Sequence, residues 1–189
     1  MKKEKTKCPW CIGDALMEAY HDTEWGVPVH DDTLLFEYLI LDAFQAGLSW
    51  KTILHRREHF RKAFANFDYK KVAKFDQKKL DELMQNEGII RNKLKVYSSV
   101  TNAQLFIAIQ KEYGSFAKYI WQFTKYKTIN KKLKTQMDIP AKTLEAEAMS
   151  KDLRKRGFKF VGPTICYAFM QAAGMVNDHL VGCFRYKEV

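Results

Sequence analysis

Five residues near the two ends of this 189-residue chain have the chemistry of a metal site: Cys8, Cys11 and His21 early, His179 and Cys183 late. Thiolate and imidazole are the groups that zinc takes in a tetrahedron; four protein ligands make a structural site, and three leave a position open for catalysis. A single Zn2+ held between them would tie the two ends together. By spacing alone, Cys8 and Cys11 read as a CxxC knuckle. Four cysteines are too few for a secreted disulfide framework, and a CxxC beside histidines fits metal or redox use in a reducing compartment. His30, His55 and His59 read as residues of solvated faces, and Cys166, inside an apolar stretch, as a small buried hydrophobe.

A second set is aromatic. Trp10, Trp25 and Trp50 each stand beside Pro, Gly or a turn-like AGLS, with Tyr20, Tyr38 and Phe44 between them. At such places a side chain projects into a cavity rather than along a core stripe. Rings of this kind hold a flat base out of a duplex; stacking is worth roughly 1–3 kcal/mol per base and tolerates any base, so discrimination needs a polar group at the base edge. Asp42, one helical turn beyond Tyr38, is the nearest carboxylate.

The elements that must position these residues are helical. Phe36, Leu39, Ile40 and Ala43 form one apolar stripe, and Ile53, Phe60 and Phe64 another, flanked by Arg56, Arg57 and Arg61. Leu80, Leu83 and Met84 follow an N-cap candidate, Asp76; Phe116, Tyr119, Ile120 and Phe123 give a further face. No stretch alternates with period two, so the spacing predicts an all-α fold. Residues 125–140 are polar and basic and read as a surface connection. LEAEAMSKDLRKR predicts a helix ending at Gly157, and Pro163 suits the first position of the next, so a hairpin is expected over about 144–173. Free amides at the start of its second helix, near Lys155, Arg156 and Lys159, would suit a phosphate.

Composition sets the outer limits. Hydrophobic residues are 47% and charged residues 29%, with 9 Gly and 4 Pro, which excludes a disordered or collagen-like chain. The expected organisation is a flexible basic arm over residues 1–7 and a single domain, of two helical lobes, over 8–189. No apolar run reaches the roughly 18 residues that span a bilayer, and no signal-peptide hydrophobic region follows MKKEKTK, so a cytoplasmic, membrane-free monomer is expected. The formal charge of +10 fits a polyanion partner, although solubilising lysines alone give such an excess.

Five ordered blocks, AYHDTEWGVP, QAGLSW, EGIIRNKLKV, RGFKFVGPTICYAFMQAAG and VNDHLVGC, closely resemble the bacterial 3-methyladenine DNA glycosylase I family, from about Cys8 to Cys183. The resemblance implies a helix-hairpin-helix glycosylase fold whose termini are joined by zinc on Cys8, His21, His179 and Cys183, leaving Cys11 over. It implies monofunctional hydrolysis of the N-glycosidic bond of N3-methyladenine in double-stranded alkylated DNA, the first step of base excision repair. The base pocket falls on Trp10, Tyr20, Trp25, Asp42 and Trp50, with Tyr20, Asp42 and Trp50 nearest the chemistry and Asp42 replacing the family's usual glutamate. Leu48 becomes the plug for the gap left by the flipped base, or else a buried residue opening the next helix; Gln45 would meet the partner base, and Lys159, Gly162 and Thr164 the DNA backbone. Many helix-hairpin-helix glycosylases carry an aspartate where this chain has Asn177, and the neighbouring Asp178 is expected to orient His179.

Methylation at N3 makes the adenine cationic, so it departs as a neutral base without protonation by an enzyme acid. No lysine near the pocket suggests itself as a Schiff-base nucleophile. Competing readings are a thiol–disulfide oxidoreductase built on Cys8-Pro9-Trp10-Cys11, which would need strands that the pattern lacks; a non-enzymatic DNA-damage sensor; and a zinc hydrolase, which would need an open metal position.

Overall fold

The computed structural model describes residues 5–189. Short polar side chains that accept backbone N–H groups start most of the helices. Asp14 caps α1 (Ala15–Thr23), Asp31 caps α2 (Asp32–Gln45) and Ser49 caps α3 (Trp50–Leu54). After the uncapped α4 (Arg57–Ala63), Asp68, Asp76, Asn92, Ser115 and Thr143 cap α5 (Tyr69–Val72), α6 (Gln77–Gln85), α7 (Lys93–Tyr113), α8 (Phe116–Trp121) and α9 (Leu144–Lys155). Each such cap is worth about 1 kcal/mol. The last helix, α10 (Pro163–Ala172), starts at Gly162-Pro163 with no side-chain cap.

The core is organised around α2. Every residue from Leu35 to Phe44 is buried, which for a helix means neighbours on all sides. Those neighbours include α3, α7, α8 and α10. The expected stripes are in place: Phe36, Ile40, Ile53, Phe60, Phe64, Phe116 and Ile120 are fully buried, whereas Phe123 is only half-buried because it packs on the core's edge. One departure is Arg57, expected on a flank and instead buried: its Nε donates to Glu37 at 2.5 Å and its Nη1 to Glu24 at 2.7 Å. The buried Glu37 and the half-buried Glu24 justify the charge; an unpaired one would cost several kcal/mol.

The structure also adds a short parallel pair, β1 (Ile129–Asn130) with β2 (Val176–Asn177). Two residues per strand are too few for the alternation that betrays a strand in sequence. The basic arm expected over residues 1–7 is described only from residue 5 onward. Lys2 and Lys3 lie outside the described residues, but Lys7 binds Glu18 at 2.7 Å and Asp22 at 2.8 Å, and the Thr6 carbonyl accepts from Phe184 N at 2.9 Å. An acidic pair on α1 and the C-terminal segment hold the arm's last residues in place.

Candidate active site and metal centre

Cys8, His21, His179 and Cys183 converge. All four are buried, and their ligand atoms lie within 4.8 Å of one another. The Cys183 sulfur is 3.4 Å from His21 Nε2 and 3.7 Å from His179 Nδ1, and the Cys8 sulfur is 3.8 Å from that same Nδ1. Tetrahedral zinc, at about 2.3 Å from sulfur and 2.0–2.1 Å from nitrogen, would separate S and N by about 3.6 Å. The donor set and its spacing therefore fit a closed metal site. Both imidazoles are held from behind: His21 Nδ1 meets Asp22 at 2.8 Å, and His179 Nε2 meets the Trp25 carbonyl at 2.9 Å. Gly26, at φ +80°, lets the chain pass the His179 ring; a Cβ there would come within 3.1 Å of it.

Two expectations change here. Asp178 does not orient His179; its carboxylate accepts from the Tyr167 hydroxyl and from Gln171 Nε2 at 2.8 Å. Asn177 takes the His179 backbone N–H instead. Cys11, open as a ligand from CxxC spacing, points its thiol at the Cys8 carbonyl 3.1 Å away. Burial holds the Cys8 thiol up at about 12 and the His179 imidazole down at about 4, so these two groups resist charge. A dication in the centre would favour the thiolates instead.

Next to this centre is a cavity of about 360 Å³, lined in part by Trp10, Tyr20, Trp25, Asp42, Gln45 and Trp50. All five expected pocket residues are thus brought together. The Trp10 and Trp25 rings meet edge-on at 5.0 Å, and Tyr20 and Trp50 lie 5.1 Å apart. Trp25 also packs on His179, with ring centres 4.7 Å apart, so it belongs to both centre and cavity. Three buried polar atoms here have no protein partner among the described residues: the indole nitrogens of Trp10 and Trp50, and Asp42 Oδ2. Burial raises Asp42 well above the usual carboxylate range, with Arg57 opposing. An orphaned buried polar atom costs about 1–3 kcal/mol, and its presence calls for a ligand or water to complete it.

The residues expected to meet DNA fall on two turns. Gln45 ends α2 and lines the cavity; three residues on, Leu48 is 41% exposed, which excludes the buried alternative. Lys159 and Thr164 are exposed on the hairpin of α9 and α10. The amides of Gly162 and Thr164 donate to no protein acceptor among the described residues, but Lys159 N is taken by Asn102 at 2.9 Å. Arg156 is unavailable to phosphate, since it binds Glu112 at 2.7 Å and Asp152 at 3.0 Å. A Cβ on Gly162 would meet open space, so only an approaching ligand would feel a side chain there. Lys51 lines the cavity, but its amine is tied to Asp14 at 2.9 Å.

A model of the methyladenine glycosylase family matches residues 10–186. The chain belongs to that family. It is 44% identical to DNA-3-methyladenine glycosylase 1 of Escherichia coli (strain K12), over 95% of this chain and 96% of that protein. A crystal structure of 3-methyladenine DNA glycosylase I superposes with a TM-score of 0.92 at 44% identity, covering 95% and 98% of the two chains. A variant of 3-methyladenine DNA glycosylase I in complex with 3-methyladenine gives 0.91 at 35% identity, covering 94% and 96%.

Two residues that position this methyladenine glycosylase's turns went unmarked in the sequence. Lys95 is buried, and its amine donates to the carbonyls of Phe44 (2.9 Å) and Ala46 (2.6 Å), just before the Leu48 turn. Asn102 is fully buried and makes paired bonds with both N and O of Lys159. Seven residues apart on α7, they share a helix face and clamp the two turns from one side. The only sequence signal was a lysine and an asparagine at helical spacing on the buried face that also carries Val96, Ala103, Phe106 and Ile109.

Proposed function

We infer that this protein hydrolyses the N-glycosidic bond of 3-methyladenine in alkylated DNA, releasing the free base and leaving the strand uncut. The observation that carries the reading is the cavity itself, where aromatic rings and an unpartnered buried carboxylate meet in a chain of this family. A flipped 3-methyladenine stacks on Trp50 and Tyr20, with Trp10 and Trp25 completing the cage. Asp42 accepts from the base edge.

The charge of the lesion decides the selectivity. Burial keeps Asp42 neutral in the free protein, with the Arg57 guanidinium opposing. A cationic base supplies the counter-charge that makes ionised Asp42 stable there, and faces the rings' negative π surfaces. Neutral adenine does neither. Departure of the base neutralises it, so the same contacts favour a transition state still carrying positive charge over the product. Water completes the reaction at C1′; Lys51, its amine held by Asp14 at 2.9 Å, is no Schiff-base nucleophile.

Zinc is the metal that the two thiolates and two imidazoles would hold, and its chemistry there is structural: four protein ligands leave no position for substrate. The DNA face we assign to Gln45, Leu48, Lys159, Gly162 and Thr164, on a monomer acting in the cytoplasm, where thiols stay reduced. No helix among the described residues is long and apolar enough to cross a membrane. The test is chromatography of bases released from methylated duplex DNA. Release of 3-methyladenine by the wild type, and its strong reduction in Asp42→Asn, is the expected result; binding to the duplex with no release would mark a damage sensor.

A further inference from the structure

The basic stretch 125–140 turns out to be more than a connection, because Gln136 and Ile139 line the base cavity. Two turns therefore reach it. In the first, Leu48 stands between the lining residues Gln45 and Ser49; in the second, Met137 stands between Gln136 and Ile139 and is 95% exposed. The second turn is moored. Asp138 accepts from the amides of Lys134 (3.1 Å) and Thr135 (2.7 Å), Val181 N donates to the Leu133 carbonyl at 2.8 Å, and β1 pairs with β2 just ahead of His179. Leading into it, Lys131, Lys132 and Lys134 have no carboxylate within ion-pair distance among the described residues.

We propose that residues 131–139 form a second DNA-binding strap, with Lys131, Lys132 and Lys134 on backbone phosphates and Met137 against the base step beside the flipped nucleotide. The assignment rests on the glycosylase reading for its partner. One thioether among lysines is too small an apolar patch for a protein interface, whereas phosphates with a single apolar wedge at the groove are how proteins kink and open a duplex, methionine included. Its place at the lip of the cavity puts the wedge where a base must leave the stack. The metal centre fixes the segment that carries β2, so the strap is held by the same staple.

The test uses the full chain with an uncleavable abasic-site duplex, methylated DNA and free 3-methyladenine. Replacing the three lysines by alanine should lower the slope of log K against log salt by about 2–3, at about 0.9 per phosphate contact, and weaken binding about tenfold or more. Met137→Ala should slow single-turnover excision about tenfold, and Met137→Leu should restore it. Free-base binding should stay at the wild-type level in all of them, since these side chains flank the cavity. An unchanged salt slope in the triple variant together with unchanged excision by Met137→Ala would overturn the strap. If the wild type released no base at all, the glycosylase reading would fall, and the salt slope would still decide the strap.

Discussion

The metal centre and the base pocket share Trp25 and lie side by side, yet they treat their polar groups in opposite ways. In the centre, each imidazole has its outer nitrogen engaged, by Asp22 and by the Trp25 carbonyl, and four ligand atoms face one point. In the pocket, two indole N–H groups and one carboxylate oxygen are buried with no partner among the described residues. The first arrangement is complete once a metal is present and can serve only stability. The second is left incomplete, which costs stability in the free protein and reserves those contacts for a ligand. Substitutions in the two regions should therefore separate cleanly into losses of folding and losses of recognition.

The largest effect should come from the centre. Cys183→Ser should lose the metal and fall in Tm by about 10 °C or more, because even part of the roughly 10–16 kcal/mol that zinc contributes in small metal-dependent domains is large at about 2–4 °C per kcal/mol. Cys11→Ser, whose hydroxyl can keep the bond to the Cys8 carbonyl, should retain both metal and Tm. Metal analysis beside thermal melts checks this, and equal loss in the two variants would move the site to the CxxC.

Trp25 and Trp50 divide the comparison within one residue type. Trp25→Ala removes the ring packed on His179 and should reduce metal content and Tm. Trp50→Ala should leave both nearly unchanged and slow single-turnover excision by about 5- to 150-fold, the equivalent of 1–3 kcal/mol of stacking. Stable but inactive Trp25→Ala, with active Trp50→Ala, would reverse the roles assigned to the two rings.

Asp42 gives the pocket a pH signature. Its pKa is raised on folding, so the neutral form is the one the free protein favours: its contribution to stability is present at low pH and lost as pH rises through the folded value. Asp42→Asn should therefore gain stability on the wild type at neutral and higher pH, while binding free 3-methyladenine more weakly. The wild-type excision rate should also carry an acid limb that Asp42→Asn lacks, since ionised Asp42 is the binding form. Asp42→Glu should keep both binding and limb. Melts and pH–rate profiles of the three proteins decide it.

Much of this was legible in the chain because the relevant residues are of rare types in punctuated places: cysteines and histidines at the ends, tryptophans beside Pro, Gly and a turn, and Asp76 at a helix start. What stayed hidden depended on partners distant in sequence. Arg57 looks like a surface residue until Glu24 and Glu37 are folded onto it. Asp178 beside His179 suggests an orienting pair, but the chain turns it toward Tyr167 on α10. Gln136 reaches the cavity from a segment moored by β1, which pairs with a strand 47 residues away in sequence, and by the bond from Val181 N to the Leu133 carbonyl. Periodicity reports which face is buried, not what it meets.

The smallest effect should be the most local. Lys159 is exposed on the hairpin, and its backbone, not its side chain, is what Asn102 holds. Lys159→Ala should thus remove one phosphate contact and nothing else, reducing the salt slope of abasic-duplex binding by about 1. Asn102→Ala should act differently: with both bonds to the loop gone, the loop that presents the contact loosens, and affinity should fall by about 1–3 kcal/mol while free-base binding is kept. If Lys159→Ala matched Asn102→Ala in affinity and slope alike, the clamp would add nothing to the charge it positions, and α7 would be a scaffold for the core alone.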